Sequence, residues 1–451
     1  MSQPSPQHTM HMVNSYVPGS GADLGPEETT LLERRERVLG APYRLFYQRP
    51  VHLVRGEGTV LYGADGTEYL DAYNNVPVVG HSNPRVRAAV DAQLGRLNTH
   101  TRYLTEEVVS YAERLTALFP AGLDQAIFAC TGSEAIDLAL RIAAHATGRS
   151  GILVTRHAYH GTTRAAAEIS PSLGPNNPVP GNVALIDAPD ALKDDPADAQ
   201  DAFADRIEDA IEQLRSRGHE PAALVVDSIM SSDGLRPAPS AHLSRAAETI
   251  RAHGGLYIAD EVQPGFGRTG DWWGFEAYGL RPDLAVLGKP MGNGLPISAV
   301  IGGPDLFEPF GRQVRYFNTF GGNPVSIAAA TAVLDELEDR ALPAHADRLG
   351  GWLRDELQRQ AAADDGVAQV RGAGLFLAVE LVTAVSRGSG DAPDAGRAAR
   401  AVNHLRENRI LISASGAHGN VLKIRPPLVL GESQAERLAE GVAEALRATR
   451  R

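Results

Sequence analysis

FACTGSEAIDLALRIAAHATG, residues 128–148, begins as a short apolar run, breaks at Thr131-Gly132-Ser133 and resumes with apolar residues at helical spacing. Thr131 and Glu134 stand at capping-box spacing, where each side chain can satisfy a backbone N–H of the other. Gly148 supplies the stop, because glycine tolerates the left-handed backbone that ends many helices. The stretch therefore predicts strand, turn and helix. Apolar runs follow at GILVT (151–155), ALVVD (223–227), GLYIADE (255–261), LAVLGK (284–289) and ISAVIGG (297–303), with helical or loop segments between them. That alternation specifies an α/β fold with a mostly parallel sheet and helices on its faces, assigned here to a large domain over 76–328.

The flanks read differently. HLVRGEGTVLYGADGTEYLDAYNN (52–75) places Ala64-Asp65-Gly66-Thr67 between two β-rich runs, a hairpin signal. Residues 27–75 are expected to join a smaller α+β domain formed by 329–451. That domain opens near the helix SIAAATAVLDELED (326–339) and closes on LAEGVAEALRATR (438–450). Between them RGAGLFLAVELV (371–382) and VLKIRPPLVL (421–430) read as strands, and SRGSGDAPDAG (386–396) as an exposed loop. Residues 1–26, rich in Ser, Pro, Gly and Gln, read as a flexible arm. The segment from Asp187 to Asp205 reads as a solvated connection. Arg34, Arg35 and Arg37 read as a solvated helix face rather than a nucleic-acid patch.

The 451 residues are 43% hydrophobic and 22% charged, which excludes a disordered or fibrous chain, and the net charge of −12 provides no bulk attraction for nucleic acid or anionic membrane. The single cysteine, Cys130, cannot form an intramolecular disulfide, so a cytoplasmic location is expected. No window approaches the roughly 18 apolar residues of a membrane span.

In an open α/β sheet, ligands sit beyond the carboxyl ends of the strands. Thr131-Gly132-Ser133 opens a helix there, where free N–H groups suit a phosphate or serve only as an ordinary cap. Asp260 ends one apolar run and could hold a proton on a heterocyclic nitrogen. Lys289 ends another, in a glycine-rich turn, and could form a Schiff base. His157 and His160 lack further ligands at metal spacing, so no metal is expected.

A phosphate cradle, a carboxylate and a lysine together describe a pyridoxal 5'-phosphate site. From about residue 45 onward the chain resembles the class III aminotransferases, fold-type-I pyridoxal phosphate enzymes. The resemblance rests on ACTGSEAIDLALRIA, HAYHG, IADEVQPGFGRTG, LGKPMGNGLP and FNTFGGNP, in that order. It implies that Lys289 carries the cofactor as a Schiff base and shuttles a proton, and that Asp260 keeps the ring nitrogen protonated. It implies that Tyr159 stacks on one ring face, Val262 packs on the other, Gln263 lies near the ring hydroxyl and His160 lines the pocket. Gly132 and Ser133 would hold the phosphate, with Thr319 reaching it from the other subunit of a homodimer. Arg425 would grip a carboxylate on a small-molecule amine or amino acid. Cys130 stands where relatives commonly have asparagine.

Within that family the chain has DSIMSSDG (227–234) where ω-amine aminotransferases carry a segment like EPIQGE. Ser232 thus replaces a glutamate able to mask the arginine. LDAYNNVPVVGHSNP, LNTHTRYL and GNVLKIRPP look most like the branch of ethanolamine-phosphate and phosphohydroxylysine phospho-lyases, although Arg425 stands where those are expected to have lysine. From sequence, an aminotransferase is the first choice as the commoner activity, a phospho-lyase the second, and a catalytically silent homologue the third.

Overall fold

The computed structural model describes residues 12, 14–19, 24–189, 199–237, 242–383 and 392–450. Its centre is a seven-stranded sheet in the spatial order Gln125–Ala129, Ser298–Gly302, Leu284–Leu287, Leu256–Asp260, Pro221–Asp227, Gly151–Thr155, Val183–Ile186. Ser298–Gly302 runs antiparallel to both neighbours, and every other pairing is parallel. Strands of this kind are covered on both faces, which is why they read as unbroken apolar runs. Leu224, Val225, Ile258, Ala259, Leu284 and Val286 are all fully buried.

The cap expected at Thr131 is present. Glu134 N–H donates to Thr131 Oγ1 at 3.2 Å, while Glu134 Oε2 accepts from the N–H of Cys130 and Thr131 at 2.8 and 3.0 Å. The helix Gly132–Thr147 ends at Gly148 with φ of 67°. Its buried residues Ile136, Ala139, Ile142 and Ala143 recur at the spacing of one helix face.

A second sheet orders Val367–Ala373, Phe376–Leu381, Val421–Ile424 and Ser413–Ser415, all antiparallel, with the helices Leu342–Ala361, Ala395–Glu407 and Glu432–Ala448 around it. A third joins chain ends. Leu53–Glu57, Val60–Gly63 and Glu68–Asp71 form a meander with the expected turn at 64–67, and Ile410–Leu411 pairs parallel to its last strand. The helix Pro26–Leu39 buries none of its residues. Among the described residues no helix is long and apolar enough to cross a membrane.

Four expectations change. RGAGLFLAVELV is two strands, because the chain reverses at Gly374, whose φ of 51° is left-handed and whose Cβ would fall 2.4 Å from the Arg268 carbonyl oxygen. VLKIRPPLVL is strand only to Ile424, since Pro426 and Pro427 have no N–H to donate. The Asp187–Asp205 segment ends inside the helix Ala199–Ser216, where Phe203, Ile207, Ile211 and Leu214 are fully buried; its residues 190–198 lie outside the described residues. Within the expected arm, Asn14 and Ser15 are buried, Ser15 bridges to Phe46, and Asn14 Oδ1 accepts from Ser413 Oγ at 3.2 Å. The rest of residues 1–11, together with 384–391 of the SRGSG loop, lies outside the described residues.

Candidate active site

The parallel register sets the site. Asp227 and Asp260 are paired residues at the carboxyl ends of adjacent strands, and Asp260 also pairs with Val286, three residues before Lys289. Lys289 opens a tight turn, Lys289–Gly292, held from outside by Asn293. That residue's Oδ1 accepts from Val79 N–H at 3.1 Å, and its Nδ2 donates to the Gly80 carbonyl at 2.9 Å. Burial pushes the Lys289 amine below the ordinary lysine range; Asp260 opposes that shift, Arg425 adds to it and Asp227 opposes it. A lysine so placed gives up its proton more readily than one in water.

Asp260 is buried and engaged at both oxygens. His160 Nδ1 lies 2.6 Å from Oδ2, and Val262 N–H donates to Oδ1 at 3.1 Å. His160 has a fully enclosed side chain whose other nitrogen, Nε2, finds no partner among the described residues. The histidine expected to line the pocket therefore holds the carboxylate in place. Glu261, next in sequence, is structural: it accepts from Ser228 Oγ and from the N–H groups of Gly274 and Phe275.

Gly132 and Ser133 occupy the first turn of their helix, where backbone N–H groups lack intrahelical acceptors. A Cβ on Gly132 would lie 3.1 Å from Val262, and one on Gly161 would lie 2.4 Å from Ser133 Oγ. Gly161, whose φ of 144° also disfavours a side chain, is needed for the backbone to close in there, and Gly132 sits tight against Val262. Ser133 Oγ accepts from Thr162 N–H at 3.0 Å. Tyr159 remains partly exposed, and Thr319 is exposed. Cys130 Sγ faces Asn318 Oδ1 at 3.8 Å.

Arg425 is buried and donates from Nε to the Tyr73 carbonyl at 2.9 Å, with its guanidinium 4.5 Å from the Tyr73 ring centre. Its NH1 donates to Gln263 Oε1. Gln263, expected near a ring hydroxyl, thus spends its amide on protein partners, its Nε2 donating to Ser231 Oγ at 2.6 Å.

Lys423 was not singled out by sequence reasoning. It lies on Val421–Ile424, two positions before Arg425, which follows the strand's end. It is buried, its Nζ lies 3.4 Å from the Ser231 carbonyl and 5.4 Å from the Phe376 ring, and Arg425 sits 5.8 Å from the same ring. The signal was available: in VLKIR, Leu422 and Ile424 face the core and the two cations alternate with them. Burial and the nearby Arg425 drive the Lys423 amine well below the ordinary lysine range, with Asp227 opposing. Among the described residues neither cation has a carboxylate partner. His157 lies apart from His160, and no group of three or more His, Cys, Asp or Glu among the described residues is placed to hold a metal.

The family model of class-III aminotransferases matches residues 46–446. The chain belongs to the class III aminotransferase family. Enzymes of this family, aminotransferases and phospho-lyases alike, depend on pyridoxal phosphate, and the fold is theirs. A solved phospholyase from Arthrobacter, in complex with phosphoethanolamine, superposes with a TM-score of 0.89 at 41% identity, covering 93% of this chain and 99% of that one. An alanine–glyoxylate aminotransferase 2-like protein of Drosophila melanogaster is 36% identical over 93% of this chain and 87% of its own length. An ethanolamine-phosphate phospho-lyase homolog of Caenorhabditis elegans is 34% identical over 89% of this chain and 90% of its own. The residues fit the cofactor of this class III enzyme. They offer a buried carboxylate braced by His160, a helix start closely approached by Gly161 and packed against Val262, and a desolvated lysine at the carboxyl end of the strands.

Proposed function

We propose that this class III enzyme is a pyridoxal phosphate-dependent phospho-lyase acting on a small O-phosphorylated primary amine. The observation that carries the choice over transamination is the buried Arg425 guanidinium beside the buried Lys423 amine, two residues apart where Val421–Ile424 ends, neither of them in an ion pair among the described residues. A phosphate monoester brings close to two negative charges at neutral pH, whereas a carboxylate brings one. The likeness to the Arthrobacter phospholyase supports the same reading.

The bound cofactor supplies an electron sink for the carbon that carries the amine. Lys289 holds the cofactor and, once freed, takes the proton from that carbon. Asp260, fixed by His160, keeps a proton on the ring nitrogen. Gly132 and Ser133 would hold the cofactor phosphate through backbone N–H groups, and Val262 and Tyr159 would pack against its ring. Arg425 and Lys423 receive the substrate phosphate. The bond from carbon to the phosphate oxygen then breaks with its electron pair leaving on phosphate, and water releases the nitrogen as ammonia and the carbon skeleton as a carbonyl compound. No amino acceptor is consumed.

With phosphoethanolamine and no keto acid, the enzyme is expected to release phosphate and ammonia in equal amounts over many turnovers. A single turnover that stops with the cofactor aminated, and resumes only on adding a keto acid, would establish transamination instead. Arg425, whose forked geometry also suits a carboxylate, is the feature that favours that second reading.

The family resemblance implies that Thr319 serves the cofactor site of a neighbouring subunit, and we take the active unit to be a homodimer. Thr319 is flanked by Phe317 and Phe320, 38% and 68% exposed, and Phe317 lines a cavity of about 880 Å³ together with Arg102 and Asn318. Such a patch needs cover. Sedimentation is expected to give a dimer or a multiple of it, and Thr319→Ala to weaken cofactor retention without loss of fold. A fully active monomer would refute this. The compartment is taken as cytoplasmic from the lone cysteine.

A further inference from the structure

Arg425 does not stand alone in the site. Its NH1 donates to Gln263 Oε1, Gln263 Nε2 donates to Ser231 Oγ at 2.6 Å, and Ser231 Oγ donates to Asp227 Oδ2 at 2.5 Å. Ser231 N–H reaches the same carboxylate oxygen at 3.1 Å, and the Ser231 carbonyl faces Lys423 Nζ at 3.4 Å. Ser231 is fully buried, and Gln263 and Arg425 are 7% and 6% exposed, so water does not complete or compete with this chain of bonds.

The chain has one polarity. Arg425 can only donate, so Gln263 turns its amide oxygen to it and its Nε2 to Ser231 Oγ, which passes its single hydroxyl hydrogen to Asp227, a carboxyl that burial and the nearby Asp260 push up from its ordinary range. Reversing the amide would set two donors against each other. We infer that Ser231, through Gln263, is a positioning residue that holds Arg425 open to an incoming anion. A neutral amide oxygen aims the guanidinium without cancelling its charge, whereas a glutamate would occupy it. The arginine then presents the same charge to the same class of anion in every cycle, which suits an enzyme with one amine substrate and no alternating partner. The inference rests on the proposed role of Arg425 as the anion site.

The test uses inorganic phosphate and, separately, a short-chain carboxylate, titrated calorimetrically against cofactor-loaded protein. Ser231→Ala is expected to weaken binding of the anion by roughly tenfold, the scale of one misdirected charge-assisted bond. Gln263→Met should do the same, and Ser231→Ala made in the Gln263→Met background should add nothing, since the path is already cut. With a turnover substrate, KM should rise more than kcat. Thermal melting of each variant reports on folding, and Gln263→Met alone carries the argument if Ser231→Ala is unstable. Additive losses in the double variant, unchanged anion affinity in the single ones, or no Arg425-dependent anion binding in the parent would each overturn the inference. Failure of the parent to release phosphate from an ester, with the non-additive binding losses intact, would overturn the phospho-lyase reading and leave this one standing.

Discussion

Lys289→Ala is expected to reduce kcat by roughly 10⁴-fold or more, the scale on which a proton-transferring group acting within a unit is lost. The structure makes this a loss of chemistry rather than of fold. Lys289 sits desolvated at the end of Leu284–Leu287, with its charge disfavoured by burial. Deleting an amine that the fold holds at a cost does not remove a stabilising contact. Thermal stability of the cofactor-free protein should therefore be unchanged or slightly raised. Borohydride reduction followed by peptide mapping should place the cofactor on Lys289 in the parent and nowhere in the variant. Label on another lysine, or substantial turnover without Lys289, would remove the basis of the assignment. Asp260→Asn is a useful companion because it keeps the side-chain shape beside His160 but loses the negative charge.

The α/β architecture was legible because its signals are local. Thr131, Glu134 and Gly148 determine a helix within one turn at each end, and the parallel strands are apolar throughout because both faces are covered. The parts that misread are those where a tertiary partner decides. RGAGLFLAVELV has the composition of one strand, and only the left-handed Gly374 and its close approach to Arg268 show the reversal. The Asp-rich stretch has the composition of a connection, yet it runs into the helix Ala199–Ser216, where Phe203, Ile207, Ile211 and Leu214 recur three and four apart and are buried. In the site, Lys289 and Asp260 stood out because each ends an apolar run, whereas Arg425 was named only through the family resemblance. Lys423 was missed because a lysine inside an apolar strand reads as an edge residue until the strand is seen to be buried on both faces. The bond from Gln263 to Ser231 joins residues 32 positions apart and has no sequence signature.

Lys423→Met should discriminate between the two readings of the site. Methionine conserves the length and apolar stem of the side chain, so the packing over Phe376 is retained while the amine is lost. Removing one buried partner of a charged anion costs about 2–5 kcal/mol, or roughly thirty- to several-thousand-fold in kcat/KM. For an O-phosphorylated amine the full effect is expected, and for a carboxylate-bearing amine a much smaller one, because Arg425 alone can neutralise a single charge. Proton linkage offers an independent check. The free amine is held below its ordinary range by burial and by Arg425. An arriving phosphate favours its charged form, so binding draws a proton onto Lys423. Raising the pH removes that proton and opposes binding, so KM for the phosphate ester should climb with pH in the parent, and this slope should flatten in Lys423→Met. Equal losses for phosphate and carboxylate substrates, with the slope unchanged, would mean that Lys423 only packs against Phe376 and that Arg425 is the sole anion contact, as transamination of an amino acid requires.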